Sequence, residues 1–85
     1  MTRNEARVIL LDVLLALDLM SSTDREAALE PNAKDIPLSG LGIDSMAVVD
    51  LCVGVEEKTG RELRVEDIID NPTIDQLAAY LSAGA

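Results

Sequence analysis

Asp44 and Ser45, inside the run Gly42-Ile43-Asp44-Ser45-Met46, are the two side chains of this sequence best placed to do chemistry. Pro37, Gly40 and Gly42 break the chain just before them, and apolar residues recur at helical spacing from Met46 onward, so the pair marks a helix start. A serine there sits on the rim of a fold rather than in its core. Its hydroxyl then has two uses. It can cap the helix, accepting a bond from one of the backbone N–H groups that the first turn leaves unpaired, a role that Asp44 can equally fill. Alternatively it is the functional atom itself. The sequence has no His, which removes His-activated nucleophiles and His-based metal sites from within the chain. Its single cysteine, Cys52, lies on an apolar helix stripe with no histidine to activate it, and reads as a small buried hydrophobe rather than a catalytic thiol. There is no Gly-rich phosphate loop, no cluster of metal ligands and, beside Ser45, no base other than Asp44; neither a metal site nor an enzymatic centre is expected.

The elements that must hold this pair are helices. The 85 residues make one domain, residues 1–85, near the lower end of what can bury its own core. With no Trp, no Phe and Tyr80 as the one aromatic residue, that core has to come from the Leu, Ile, Val, Ala and Met that dominate a 48% hydrophobic content. No strand-period alternation persists, and no internal repeat is visible. A first helix is expected from residue 4 to about 20, where Gly and Pro are absent. It carries two apolar arcs. Ala6, Ile9, Leu10, Val13, Ala16, Leu17 and Met20 form one, and Val8, Leu11, Leu15 and Leu19 a second, flanked by Asp12 and Asp18. Both arcs pack within the domain, or one is covered by the following loop or a partner.

Ser21 to Leu41 is a long connection, in which Thr23-Asp24-Arg25-Glu26 has capping-box spacing for a short helix to about Leu29. Ile36, Leu38 and Leu41 are expected to pin the rest of this loop to the bundle. The second main helix runs from about Ser45 to Lys58 or Thr59 and stops at Gly60, with Val48, Leu51, Cys52, Val55 and Thr59 facing the core. Gly54, mid-helix, costs about 1 kcal/mol relative to Ala and marks a candidate close approach. A short helix near Glu66 to Asp70, contributing Val65, Ile68 and Ile69, precedes Pro72; Thr73 and Gln76 then start a last helix to about Ser82, with Ile74, Leu77, Ala78 and Leu81 as its stripe. The small residues at the end are expected to fray. The fold expected is all-α: a small four-helix bundle of three main helices and one short one, with a long loop between helices 1 and 2.

Opposite the inward arc of the Ser45 helix lie Met46, Val49 and Val53, bordered by Asp50, Glu56 and Glu57. Such a face is either a solvated acidic surface with scattered apolar residues or a docking strip, with carboxylates steering a basic partner and the apolar residues supplying contact area. Lys and Arg number 7 against 16 Asp and Glu, a net charge of −9 that repels phosphate backbones, so no nucleic-acid partner is expected. The apolar stretch Val8 to Met20 is too short to span a bilayer, is interrupted by Asp12 and Asp18, and is not followed by a signal-peptidase pattern. With one cysteine and no disulfide framework, a reducing compartment follows; a cytoplasmic, monomeric protein is expected.

Taken together, Leu41-Gly42-Ile43-Asp44-Ser45-Met46, the acidic helix after it and the helix order resemble the acyl carrier protein family over residues 5 to 82. In that family the serine of a G-x-D-S-[LM] element bears 4′-phosphopantetheine through a phosphodiester. The resemblance implies that Ser45 is the modified serine and Asp44 the acidic residue preceding it. It also places Met46, Val49, Asp50, Val53, Glu56 and Glu57 on the partner-recognition face. It implies a phosphopantetheinyl transferase as partner, with the acyltransferase, ketosynthase or adenylating enzymes of a pathway, and a role in transport rather than catalysis. Asn71-Pro72-Thr73 resembles carriers of polyketide and nonribosomal peptide assembly, and Thr59 stands where a bulky apolar residue is common in fatty-acid carriers. Peptidyl carriers more often have Gly-Gly-[HD]-Ser, so Gly42-Ile43-Asp44-Ser45 leans towards acyl and polyketide types. The expected function is a carrier of acyl thioesters in polyketide or related secondary-metabolite biosynthesis. Two alternatives stand beside it: an aminoacyl, peptidyl or D-alanyl carrier, and an unmodified acidic helical adaptor in which Ser45 only caps.

Overall fold

The first helix does not reach Met20. In the computed structural model, whose described residues are 1–83, α1 spans Arg3–Ala16 and ends where Asp18 takes a left-handed conformation, φ 60°. The Asp18 N–H then donates to Leu15 O at 3.0 Å and the Leu19 N–H to Leu14 O at 2.9 Å. This paired closure normally rests on glycine, and aspartate is among the few other residues that tolerate it. At the other end Thr2 Oγ1 accepts from the Glu5 N–H, and Glu5 Oε1 accepts from the Thr2 N–H. That reciprocal box starts the helix at Arg3, one residue before the expected start.

Four more α-helices follow among the described residues: α2 Ser22–Ala28, α3 Ser45–Thr59, α4 Val65–Asp70 and α5 Ile74–Ala83, with a single 3-10 turn at Leu38–Leu41. The fold is the expected all-α bundle, with α2 lying within the long connection. The cap of α2 is Ser21, whose Oγ accepts from the Asp24 N–H at 3.1 Å, and the box expected at Thr23 is not formed. Two cap signals overlap here, and the earlier one lets α2 place Ala28 in the core and Arg25 on Asp12 of α1, Nε to Oδ1 2.7 Å. The fraying expected of the last residues falls at Gly84 and Ala85, outside the described residues.

The core forms around α1, which packs against α5, α3 and α2. Leu10, Leu11 and Leu14 meet Leu51 and Val55 of α3 and Ile74, Leu77 and Leu81 of α5, all fully buried. Each such side chain contributes about 2 kcal/mol of transfer free energy. Both arcs of α1 are used: Ile9, Leu17 and Leu19 pack partly buried against this core, while Ala16 is left exposed. Met20 lies outside the helix yet is buried, and Leu63, between α3 and α4, is buried as well. Gly54 is a point of close approach between α1 and α3, since a Cβ there would lie 2.6 Å from Val13 Cγ1. The mid-helix glycine is thus the cost of bringing these two helices together.

The long loop is anchored as its apolar residues require: Leu38 is buried, and Ile36, Leu41 and Ile43 pack against the core. It is also stitched by backbone to the α4–α5 junction, where the Leu38 N–H donates to Pro72 O at 2.9 Å and the Ile74 N–H to Ile36 O at 3.0 Å. The loop therefore delivers the chain to α3 from a held position.

Candidate functional site

The site is built at the turn from this loop into α3. Gly42 has φ 67°, and a Cβ on it would meet nothing within 4 Å, so the position demands glycine for its backbone angle rather than for space. Ile43 packs partly buried on the core and fixes the entry. Asp44 is extended, and its Oδ1 accepts from the Ala47 N–H at 2.8 Å while its carbonyl accepts from the Val48 N–H at 3.0 Å. Asp44 is therefore the N-cap. Ser45 is the first helical residue; it is exposed, and its hydroxyl makes no hydrogen bond among the described residues. The capping role open to either residue on sequence falls to Asp44 and leaves the Ser45 hydroxyl free.

The N–H groups of Ser45 and Met46 also have no acceptor among the described residues. Together with the positive end of the α3 dipole, they make this helix start a favourable neighbour for an anionic group held on the Ser45 oxygen. Down the same helix, Met46, Val49 and Val53 are 76%, 51% and 50% exposed, and Asp50, Glu56 and Glu57 stand exposed beside them. On the opposite side Leu51, Cys52 and Val55 are buried, with Val48 and Thr59 at the margin. Burial, and then the charge of Asp67, push the Cys52 thiol above its usual range, so it remains a neutral packing group.

Two exposed apolar residues escaped the sequence reading. Val65 and Ile69, expected to join the core, are 42% and 69% exposed, and Ile68 alone of α4 is buried. Their i, i+3, i+4 spacing puts the three on one face of α4, and nothing in the sequence shows that only Ile68 of that face would be covered. Since α4 packs on α3, these residues add exposed apolar surface next to that helix. Among the described residues no group of three His, Cys, Asp or Glu could hold a metal ion.

Comparison with known proteins bears directly on this helix start. The family described as "Phosphopantetheine attachment site" matches residues 17–81, which include the loop, the Asp44-Ser45 turn and α3 to α5. The chain belongs to this phosphopantetheine-attachment family. Its members carry covalently attached 4′-phosphopantetheine and are carrier domains, not catalysts in themselves. This carrier chain is 44% identical over 45 residues to Nonribosomal peptide synthetase 2 of Gibberella zeae, covering 53% of the chain and 1% of that protein. It is 36% identical over 78 residues to a highly reducing polyketide synthase of Pyricularia oryzae, covering 92% of the chain and 3% of that protein. The carrier chain thus corresponds to a small part of these large relatives. No solved structure matches it. The cofactor of the family fits what the helix start offers: an accessible, unbonded hydroxyl with two open N–H donors beside it. No helix is long and apolar enough to cross a membrane among the described residues.

Proposed function

We propose that this carrier domain holds acyl intermediates as thioesters on 4′-phosphopantetheine attached to Ser45, within polyketide or related secondary-metabolite biosynthesis. One observation carries the assignment to this serine: Asp44 caps α3, so the exposed Ser45 hydroxyl is not engaged in holding the helix. A phosphopantetheinyl transferase supplies the group from coenzyme A. The Ser45 oxygen bonds to the phosphorus that bears the pantetheine arm and gives up its proton to a base of the transferase, while the pyrophosphate bond of coenzyme A breaks and adenosine 3′,5′-bisphosphate leaves. When bound, the group supplies the thiol that carries cargo. The chain's own residues do the rest: Asp44 holds the turn, the Ser45 and Met46 N–H groups favour the phosphodiester, and Met46, Val49, Asp50, Val53, Glu56 and Glu57 receive the enzymes that load and unload the arm. Those enzymes are an acyltransferase or ketosynthase, and bond-making on the cargo is theirs. Residues 1–85 act as one such unit, in keeping with the single core that α1, α3 and α5 share.

The similarity to a nonribosomal peptide synthetase, 44% over 45 residues, favours an aminoacyl or peptidyl cargo as a second reading. Loading by an adenylating enzyme rather than an acyltransferase separates the two. The attachment itself is tested by the intact mass of the protein after incubation with coenzyme A and a broad-specificity transferase. One phosphopantetheine addition is expected on the wild type and none on Ser45→Ala. No addition to folded wild-type protein would leave the exposed strip of α3 as the surface of an unmodified adaptor.

A further inference from the structure

We propose that Asp35 is a positioning residue for the Ser45 turn, fastening the segment that leads to it onto the start of α5. Between Leu29 and Asp44 the chain has only the 3-10 turn as regular structure, so its path depends on what it is tied to. Asp35 Oδ1 accepts from its neighbour Ile36 N–H at 2.8 Å and from the Asp75 N–H, 40 residues on, at 3.0 Å. Asp35 therefore caps a helix to which it does not belong, beside Thr73, the helix's own cap, whose Oγ1 accepts from the Gln76 N–H at 3.1 Å. The two backbone bonds that stitch Ile36 to Ile74 and Leu38 to Pro72 follow directly, and Leu38 begins the turn that ends three residues before Asp44. Removing the carboxylate frees one end of that short chain of attachments.

The charges around Asp35 suit a fixed carboxylate. Arg7 of α1 has its Nε 2.9 Å from Asp75 Oδ1, and its guanidinium is largely buried, yet its Nε and one Nη make no aligned hydrogen bond. Its charge is paired with Asp75 and also acts on Asp35. Partial burial pushes the Asp35 carboxyl upwards, but bonds from Thr73, Asp75 and Ile36, with the Arg7 charge, outweigh it and hold the group below the usual aspartate range.

The consequence for modification rests on Ser45 being the attachment serine, so the test reads the tie and the modification separately. Asp35→Ala, Asp35→Asn and Thr2→Ala are compared with wild type; Thr2→Ala removes a cap of similar strength from α1, away from the loop. Amide hydrogen exchange on the intact protein is expected to show protection at Leu38, Ile74 and Asp75 reduced about tenfold in Asp35→Ala relative to the amides of α1. Protection is restored in part by Asp35→Asn, which keeps an acceptor, and these three amides are unchanged relative to α1 in Thr2→Ala. With coenzyme A and a transferase, kcat/KM for the Ser45 reaction is expected to fall about fivefold in Asp35→Ala, mainly through KM, with rescue by asparagine and no change in Thr2→Ala. Unchanged relative protection at Leu38 and Ile74, or a rate loss that Thr2→Ala reproduces, overturns the proposal. If wild-type protein accepts no phosphopantetheine, the attachment reading fails, and the exchange data alone decide whether Asp35 is the tie.

Discussion

Asp44 and Ser45 are adjacent, both suited to capping, and separated in role by one backbone register. Asp44 is extended and reaches the Ala47 N–H, whereas Ser45 already has helical geometry and projects its hydroxyl outward. Asp44→Ala is therefore expected to cost about 1 kcal/mol of unfolding free energy, while Ser45→Ala costs about 0.5 kcal/mol or less. Urea denaturation of the two variants beside wild type measures both, and equal losses would mean that the hydroxyl takes part in the cap. The motif pointed to this pair, but its two members looked interchangeable because capping propensity depends on residue type, and only φ and ψ say which one is the cap.

At the scale of the helix, α3 was the most legible element. Its start at Ser45, its stop at Gly60 in a left-handed conformation and its inward arc all agree with sequence signals confined to a few residues. Gly54 was legible as an anomaly, and its cause was not. Gly54→Ala gains about 1 kcal/mol of helix propensity, yet its new methyl meets Val13 at a distance no Cβ tolerates. The net effect expected is destabilisation by about 1–3 kcal/mol, and pairing it with Val13→Ala should recover much of the loss. A double-mutant cycle by urea unfolding reads the coupling; additive effects would show that α1 and α3 can separate at little cost. The shorter elements were read less well. The start of α2 shifted between two overlapping cap signals, and α4 keeps two of its three large apolar residues outside because neighbouring helices cover only one of its sides.

For the molecule as a whole, charge and exposed apolar surface work together. Under the proposed docking role, a net charge of −9 would give long-range attraction to a basic partner, and the exposed Met46, Val49 and Val53 would supply contact once it arrives. Replacing Asp50 and Glu56 with Lys is expected to slow transfer of phosphopantetheine to Ser45 about tenfold at low salt, with a difference that shrinks as ionic strength rises. Initial rates across a salt series test this, and rates that stay equal to wild type at every salt concentration remove the electrostatic part of the docking argument.

Signals that act over three or four residues were sufficient for much of this protein. Glycine at 42 and 60, aspartate at 44, threonine at 73 and the apolar period of α3 satisfy or break local backbone hydrogen bonds, and that chemistry is written in neighbouring side chains. The helical class, the long loop and the helix start at Ser45 followed from them. What needed the folded chain were choices made between distant residues: the closure of α1 at Asp18 that turns the chain into α2, the contact of Gly54 with Val13, the exposure of Val65 and Ile69, and the reach of Asp35 to Asp75. Each depends on which helices come to lie side by side. That arrangement is set by the summed burial of the shared core rather than by any local sequence preference.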